Sequence, residues 1–392
     1  MSVTEGEKAA PKKVLTLVPY FEPGFKAGGP TTTIRNSVDH LFDKVKFKIV
    51  TSDRDLGDKH PYPLPLNRWI PGVPDIYYLS GRNGTKLIRI MRETNFDVLY
   101  LNSFFSFKYS ILPVTWNKCF KVHLKRTVLA PRGEFSEGAL SIKPLKKKIF
   151  IAFVKWFGIY SDMIWQASSV QEAAEIVKVF GPKALVIVAP DLPSPSKPGE
   201  GSVFKKMPKQ RGSLRLVFLS RICKMKNLKF AISILRNVKG EVQFDIYGPI
   251  EDGPYWEECL TLIRELPDNI KVNYLGAVKP AKVKTILGMY DLFILPTLGE
   301  GFGHAIFEAL QAGCPVMISD RTPWGEVARC GGGMVISLDK PEDFSLSLQR
   351  YVNMDFEEHA RASSCALEFS SNYINNTELV NSHLSLFELT LT

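Results

Sequence analysis

Short apolar runs alternate with helix-patterned segments along almost the whole chain, and this alternation restricts the fold more than any other feature. Strand candidates in the first half are 14–18, 47–51, 76–79, 97–101, 127–130, 163–167 and 185–188. After a break the pattern resumes at 214–219, 242–247, 270–275, 291–295, 316–319 and 334–336. Strands separated by helices pair in parallel, so the expectation is α/β, with two Rossmann-like halves. The break carries Pro193, Pro195, Pro198, Gly199 and Gly201 among serines, then a basic stretch to Arg211, which is linker composition. The predicted plan is a disordered leader at 1–12, a first domain at 13–190, a linker at 191–212, a second domain at 213–355 and a helical C-terminal segment at 356–392. Ligands in such folds bind at the carboxyl ends of strands, which places the expected active site in the crevice between the halves.

The 392 residues can supply two or three domains, and 45% hydrophobic with 23% charged residues is the composition of an ordinary globular chain. Six scattered cysteines show no metal-ligand spacing, which predicts a reduced, cytoplasmic setting. The first residues show no cleavable signal pattern, and no apolar run reaches the ~18 residues of a membrane span. The net charge of +10 is uneven: residues 1–190 hold 28 Lys+Arg against 16 Asp+Glu, and the remainder holds 22 against 24. Basicity on one half suits nucleic acid, an anionic bilayer surface or a phosphate-bearing lipid; solubility alone is the plain alternative.

The segment from Leu145 to Tyr160 is a candidate for bilayer contact on that basic half. At helical spacing Leu145, Ile149, Ala152, Phe153, Trp156 and Tyr160 form one stripe, expected to face the core. Phe150, Val154 and Phe157 form a second patch beside Lys146 and Lys147. That second patch suits either an in-plane contact with anionic headgroups or a wholly buried helix with snorkelling lysines.

The run from Glu300 to Leu310 bears most directly on function. It follows the apolar strand candidate at 291–295, contains Gly301 and Gly303, and becomes helical until Gly313. Strand, glycine loop and helix make an anion site, because the first amides of a helix are unpaired and carry the positive end of its dipole. Glu300 in the loop mouth would repel a phosphate unless a cation or a polyhydroxylated group lay between them. Glu308, among Phe307, Ala309 and Leu310, can accept the two hydroxyls of a ribose. In the second half's first strand-to-helix loop, Arg221 and Lys226 supply two cations for a diphosphate.

The stretch from Leu295 to Trp324, with its E-x7-E spacing and trailing Ala312-Gly313-Cys314-Pro315, resembles the donor-site signature of retaining GT-B glycosyltransferases of glycosyltransferase family 4. The resemblance implies a GT-B fold of two Rossmann-like domains facing across a cleft, with a C-terminal helix crossing back to the first. It implies a metal-independent hexosyl transfer from a nucleoside diphosphate sugar, used as co-substrate with no cofactor, to a hydroxyl of a glycan or lipid-linked glycan. It implies attack from the leaving-group face without a protein nucleophile. Bacterial surface-polysaccharide synthesis and a peripheral site on the inner membrane face are the setting it suggests.

On this resemblance Glu300, Arg221 and Lys226 are the catalytic set. Glu308, Gly301, Phe302, Gly303, His304, Tyr247 and Val278 bind the donor. Gly28 and Gly29, in the glycine loop after the first strand, lie on the acceptor side with Asn102 and Arg132. Arg132 stands where the family commonly has a histidine, and an arginine cannot serve as a base. His123 is the nearest imidazole and reads as structural. Asp53-Arg54-Asp55 looks like a D-x-D metal pair but is read as turn chemistry, so no metal is expected. Rival readings are a nucleic-acid-binding protein, which leaves Glu300 and Glu308 without a use, and another enzyme on the same fold, such as an epimerase or phosphorylase.

Overall fold

The computed structural model describes residues 11–81, 84–120, 126–195 and 208–388. In the first domain, β1 (Lys12–Leu17), β2 (Val45–Ser52), β3 (Trp69–Ile70), β4 (Asp75–Leu79), β5 (Val98–Asn102), β6 (Arg126–Ala130), β7 (Ile164–Ala167) and β8 (Leu185–Val188) form one sheet. Its order is β3-β4-β2-β1-β5-β6-β7-β8, parallel throughout except for β3 against β4. In the second, β9 (Ser213–Leu219), β10 (Glu241–Tyr247), β11 (Ile270–Gly276), β12 (Leu292–Leu295), β13 (Val316–Ser319) and β14 (Gly333–Ile336) pair all in parallel, in the order β11-β10-β9-β12-β13-β14. Each of the thirteen strand candidates coincides with one of these elements, four of them overrunning it by one residue. The unexpected one, β3, has two residues, too few to leave an apolar period.

The crossovers carry α1 (Gly29–Leu41), α2 (Gly84–Glu93), α3 (Leu112–Phe120), α4 (Glu137–Ser141), α5 (Pro144–Trp156) and α6 (Val170–Phe180) on the first sheet. On the second lie α7 (Leu228–Ser233), α8 (Gly253–Arg264), α9 (Pro280–Leu287), α10 (His304–Gln311) and α11 (Pro341–Asn353), before α12 (Phe356–Ile374) and α13 (Thr377–Glu388) close the chain. Strand order reverses about β1 in one sheet and about β9 in the other, with β2 and β5, or β10 and β12, on opposite sides. The loops leaving β1 and β9 therefore part from their neighbours at a switch point, and both open toward the space between the domains.

Each sheet is buried on both faces, as parallel sheets require. Around the second, Phe218, Phe244, Phe293 and Phe307 are fully buried. The first has one cluster about Leu99, Phe104 and Trp165 and another about Ile49, Tyr100 and Val128. That last cluster is completed by Leu386 and Phe387 of α13, whose Phe387 ring meets Phe47 and Tyr100 edge-on at 5.9 and 5.6 Å. His383 adds a 2.7 Å hydrogen bond to the Pro190 carbonyl.

Three expectations change. The segment 356–392 does not cross back as a whole: α12, N-capped by Asp355 in a capping box, packs on α10 of the second domain, and only α13 returns. Residues 191–195 are not free linker. Asn36 Nδ2 donates to the Leu192 carbonyl at 2.8 Å, His40 bonds the Pro193 carbonyl at 2.9 Å, and Asp191 and Leu192 are buried on α1. The rest of the proposed linker to residue 207, and the leader to residue 10, lie outside the described residues.

The third change concerns α5, whose faces are reversed. Val154 is buried and Phe150 and Ile151 pack inward, whereas the stripe expected in the core is exposed: Leu145 by 71%, Ile149 by 62%, Phe153 by 51% and Trp156 by 88%. Lys147 makes the inner face tolerable, because its Nζ donates to the Ala139 carbonyl at 2.7 Å and lies 5.0 Å from the Phe105 ring centre. Of the predicted stripe only Tyr160, beyond the helix end, is buried.

Replacing Phe387 by Ala should remove the ring that anchors α13 and cost about 3–5 kcal/mol. Urea unfolding should show the loss in the first domain and leave the second domain's transition in place.

Candidate active site

The second domain's contribution starts at the end of β12. From Pro296 the chain runs as a loop to α10, whose N-cap Gly303 has φ +80° and offers no side-chain cap. The left-handed backbone there admits glycine with least strain. The loop is fixed from both sides. Leu298 N–H donates to the Met225 carbonyl at 2.9 Å, Glu300 N–H to the Arg321 carbonyl at 3.1 Å, and Trp324 Nε1 to the Phe302 carbonyl. The Phe302 ring is buried against Phe307, Trp324 and Tyr373, which leaves its backbone to the cleft.

All four of the predicted charges line this wall. Lys226 Nζ lies 2.5 Å from Glu300 Oε1, with both side chains about nine-tenths buried. Lys226 thus supplies a cation of the kind the sequence reading required beside Glu300. Arg221 projects from the end of β9 and pairs with Glu251 at 2.7 Å, staying partly exposed at the rim. Glu308 faces the same cleft from α10, has no hydrogen-bond partner among the described residues, and burial pushes its carboxyl up to about 7.

The strand ends β10 and β11 line the rim through Gly248, Pro249, Ala277 and Val278. Tyr247 does not: its hydroxyl turns to Tyr290 at 3.1 Å, and Tyr290 in turn donates to buried Asp245 at 2.6 Å. Alternation along β10 puts Tyr247 on the Asp245 face, away from the cleft. Gly248 has φ +137°, and a Cβ there would come 1.8 Å from the Ser220 carbonyl oxygen. The β9 and β10 ends can approach so closely only at glycine.

The opposite wall belongs to the first domain. Gly28 and Gly29 begin α1 and line the cleft, with Gly28 at φ +67°. The preceding loop is held by Asp55, whose Oδ2 accepts from the amides of Phe25 and Lys26 at 2.8 and 3.0 Å. Asp53 binds its neighbour Arg54 at 2.8 Å, so this acidic pair is turned to loop architecture. Arg132 lies at the cleft floor with φ +58°, its guanidinium bound to Asp191, to Tyr100 Oη at 2.5 Å and to Asn102 Oδ1 at 2.8 Å. Nε, Nη1 and Nη2 are thus all engaged within the first domain. Asn102 itself is buried behind Arg132 and does not line the cleft, correcting its placement as a cleft contact. His123 lies outside the described residues.

Asp191, read from sequence as the start of a linker, is the residue that reasoning missed. It is buried, receives the Thr33 hydroxyl at 2.8 Å, and lies 3.8 Å from His304 Nε2. Burial opposes its charge, but Arg132 beside it holds Asp191 below the usual carboxylate range. His304 Nε2 is 2.7 Å from Thr33 Oγ1. With the Thr33 proton directed to Asp191, its oxygen must accept from Nε2–H. Burial depresses His304 to about 4, despite Asp191, so the ring is neutral. His304 therefore bridges the domains, and its Nε2 proton is not aimed at a ligand phosphate. A second bridge is the 2.9 Å bond from Ser168 Oγ to the Gly301 carbonyl; Ser168 is braced through its backbone by Glu172, whose carboxylate accepts from Ser168 N–H at 2.7 Å and from Gly133 N–H at 2.6 Å. The available signal for Asp191 was its position just past the carboxyl end of a strand.

The cleft so formed holds about 320 Å³. One wall offers a lone carboxylate, a Lys-Glu pair, an arginine and uncapped helix amides; the other offers glycine backbone and Lys26. Such a surface can take an anion next to hydroxyl groups.

Comparison with known proteins agrees with this geometry. Residues 201–368 match the sequence profile of the family described as Glycosyl transferases group 1. An uncharacterized 41.2 kDa protein in the cps region of Klebsiella pneumoniae is 20% identical over 332 residues, 80% of this chain and 86% of that one. Among solved structures, sucrose-phosphate synthase from Thermosynechococcus elongatus superposes with a TM-score of 0.74 at 11% identity, over 96% of this chain and 98% of the other. HepE of Anabaena, in complex with UDP and glucose, superposes with a TM-score of 0.70 at 15% identity, over 95% and 98%. The fold is GT-B.

A carboxyl whose pKa is raised by burial costs stability when it ionises. The native protein binds more protons than the unfolded chain between the ordinary value near 4.3 and about 7, so stability falls as pH rises through that window. Glu308→Gln should stabilise the unliganded protein by about 1–3 kcal/mol above pH 7, with the gain vanishing near pH 4.5. Denaturant midpoints measured at pH 4.5, 6 and 8 read this directly.

Proposed function

We propose that this chain is a retaining, metal-independent glycosyltransferase that moves a hexosyl unit from a nucleoside diphosphate sugar to a hydroxyl of a glycan or lipid-linked glycan. The observation that carries the reading is Glu308, an unpartnered carboxylate in the cleft beside a cation-neutralised Glu300. A ribose diol supplies the two donors that Glu308 lacks. Arg221, Lys226 and the first amides of α10 neutralise the diphosphate, and Gly248, Pro249, Ala277 and Val278 form the slot for the base. The donor sugar then lies along Glu300 and the backbone of Gly301 to His304. The acceptor enters against Gly28, Gly29 and the Arg132 floor.

In the reaction the bond from the anomeric carbon to the diphosphate oxygen breaks and a bond to the acceptor oxygen forms on the same face. The acceptor proton passes to the departing β-phosphate. The protein's part is electrostatic: two fixed cations and a helix terminus face the oxygens on which charge accumulates. With Arg221 and Lys226 in that role, a divalent ion is not required for charge balance. The profile match over the second domain supports the donor class, and the UDP and glucose bound to HepE make UDP-hexoses the first donors to test. The cps-region relative supports a role in surface polysaccharide synthesis.

The protein should release nucleoside diphosphate when given UDP- or GDP-sugars with a membrane extract as acceptor, and a chelator should leave the rate unchanged. Lys226→Ala should lower kcat/KM by about 10²–10³-fold through kcat, the scale of losing one fixed charge partner. Glu308→Ala should act mainly through donor binding. If no nucleotide sugar turns over or raises the melting temperature, the reading is overturned.

A further inference from the structure

The geometry points to a bilayer-docking surface on α5. Viewed down the axis, Leu145, Ile149, Ala152, Phe153 and Trp156 occupy an arc of roughly 100°, and all five are exposed. Trp156 at 88% exposure stacks on the exposed Phe157 ring at 6.0 Å, which lies 4.6 Å from the ring of Phe153. An apolar face so continuous on one helix exceeds the scattered apolar residues of an ordinary surface. The helix is anchored by its other face through Val154, Phe150 and Ile151, so the exposed stripe is not needed for folding.

Charge identifies what covers the stripe. Lys146 borders it on one side and Lys148 and Lys155 on the other, all exposed, and residues 143–158 contain no acid. An apolar strip edged by lysines and ending in an exposed tryptophan suits the headgroup boundary of an anionic bilayer. The rings and aliphatic side chains enter the acyl layer there, the indole sits at the interface, and the ammonium groups reach the phosphates. A second copy fits less well: two-fold packing of this face on itself would bring lysine edges of the same sign together. The surface lies in the plane of a membrane and does not cross it, for no helix among the described residues is long and apolar enough to span.

The docking helix is also mechanically close to the cleft. Ala139 of α4 lines the cleft, and its carbonyl accepts from Lys147 Nζ at 2.7 Å on the inner side of α5. A bilayer under α5 therefore brings its headgroups within one short helix of the cleft's first-domain wall.

The test is co-sedimentation of the full chain with vesicles of phosphatidylcholine alone or enriched in phosphatidylglycerol. The wild type should bind the anionic vesicles at least about tenfold more tightly, and less tightly as salt rises. Ile149→Ser with Phe153→Ser and Trp156→Ser should abolish binding to both, while Lys146→Glu with Lys148→Glu and Lys155→Glu should remove the preference for anionic lipid. Brominated acyl chains should quench the wild type, and Trp156→Phe should keep binding but lose that quenching. Because the substituted side chains are exposed, thermal midpoints should not move. No preference of the wild type for anionic vesicles overturns the proposal. So does a lipid-free dimer that Trp156→Ser dissolves, or lipid binding unaffected by the serine variant. No nucleotide sugar enters the assay, so its outcome is independent of glycosyl transfer.

Discussion

The site depends on how closely two separately built sheets can be brought together, and small residues set that distance. A Cβ at Gly29 would stand 3.7 Å from His304, one at Gly133 3.6 Å from the Gly301 amide, and one at Gly138 2.8 Å from the Leu298 carbonyl oxygen. At Gly301 it would come 3.1 Å from Ser168 Oγ. With the backbones this close, two polar bridges, Thr33 to His304 and Ser168 to Gly301, span the gap directly. Both rest on buried carboxylates of the first domain, Asp191 and Glu172. Removing either carboxylate would leave buried donors without partners, a cost of about 1–3 kcal/mol each. Two polar contacts therefore join the domains directly at the cleft.

That arrangement explains the division of labour among the charges. Arg132 is spent on Asp191, Tyr100 and Asn102, so the arginine on the floor holds the wall in shape. The other cations lining the cleft among the described residues are Lys226 and Arg221 on the second domain and Lys26 on the first, and each already faces a carboxylate. A diphosphate would therefore be received by cations held in place beforehand, which lowers the ordering cost of binding. Glu308 is the exception. It is kept without a partner at a cost to the unliganded protein, the usual sign of a group reserved for a ligand.

The fold was legible because both sheets are parallel and buried on both faces, so their strands read as apolar runs between helices. The second-domain wall of the cleft was legible for a related reason: Glu300, the glycines, Glu308, Arg221 and Lys226 lie within two short local segments, each at the carboxyl end of a strand, so local spacing brings them to one wall. Tyr247 failed because one residue of alternation separates the cleft face of β10 from the Asp245 face, and the bulge at Ile246 and Tyr247 blurs that register. Asp191 and Thr33 failed for a different reason. They are 158 residues apart, and nothing local marks either as one end of a hydrogen bond.

The α5 reversal shows what periodicity leaves out. An amphipathic pattern gives the angle between two stripes but not which one meets the protein, and α5 carries apolar residues on both. The more apolar stripe is the one expected inward, with the second patch left to a bilayer or to burial beside snorkelling lysines. In the structure that stripe, with Trp156 at its end, faces outward, and a lysine stem closes the inner face. Burying the weaker stripe while exposing the stronger is unfavourable in water alone. The arrangement is consistent with a chain whose surroundings include something other than water, and the lysines at both edges give that surrounding its sign.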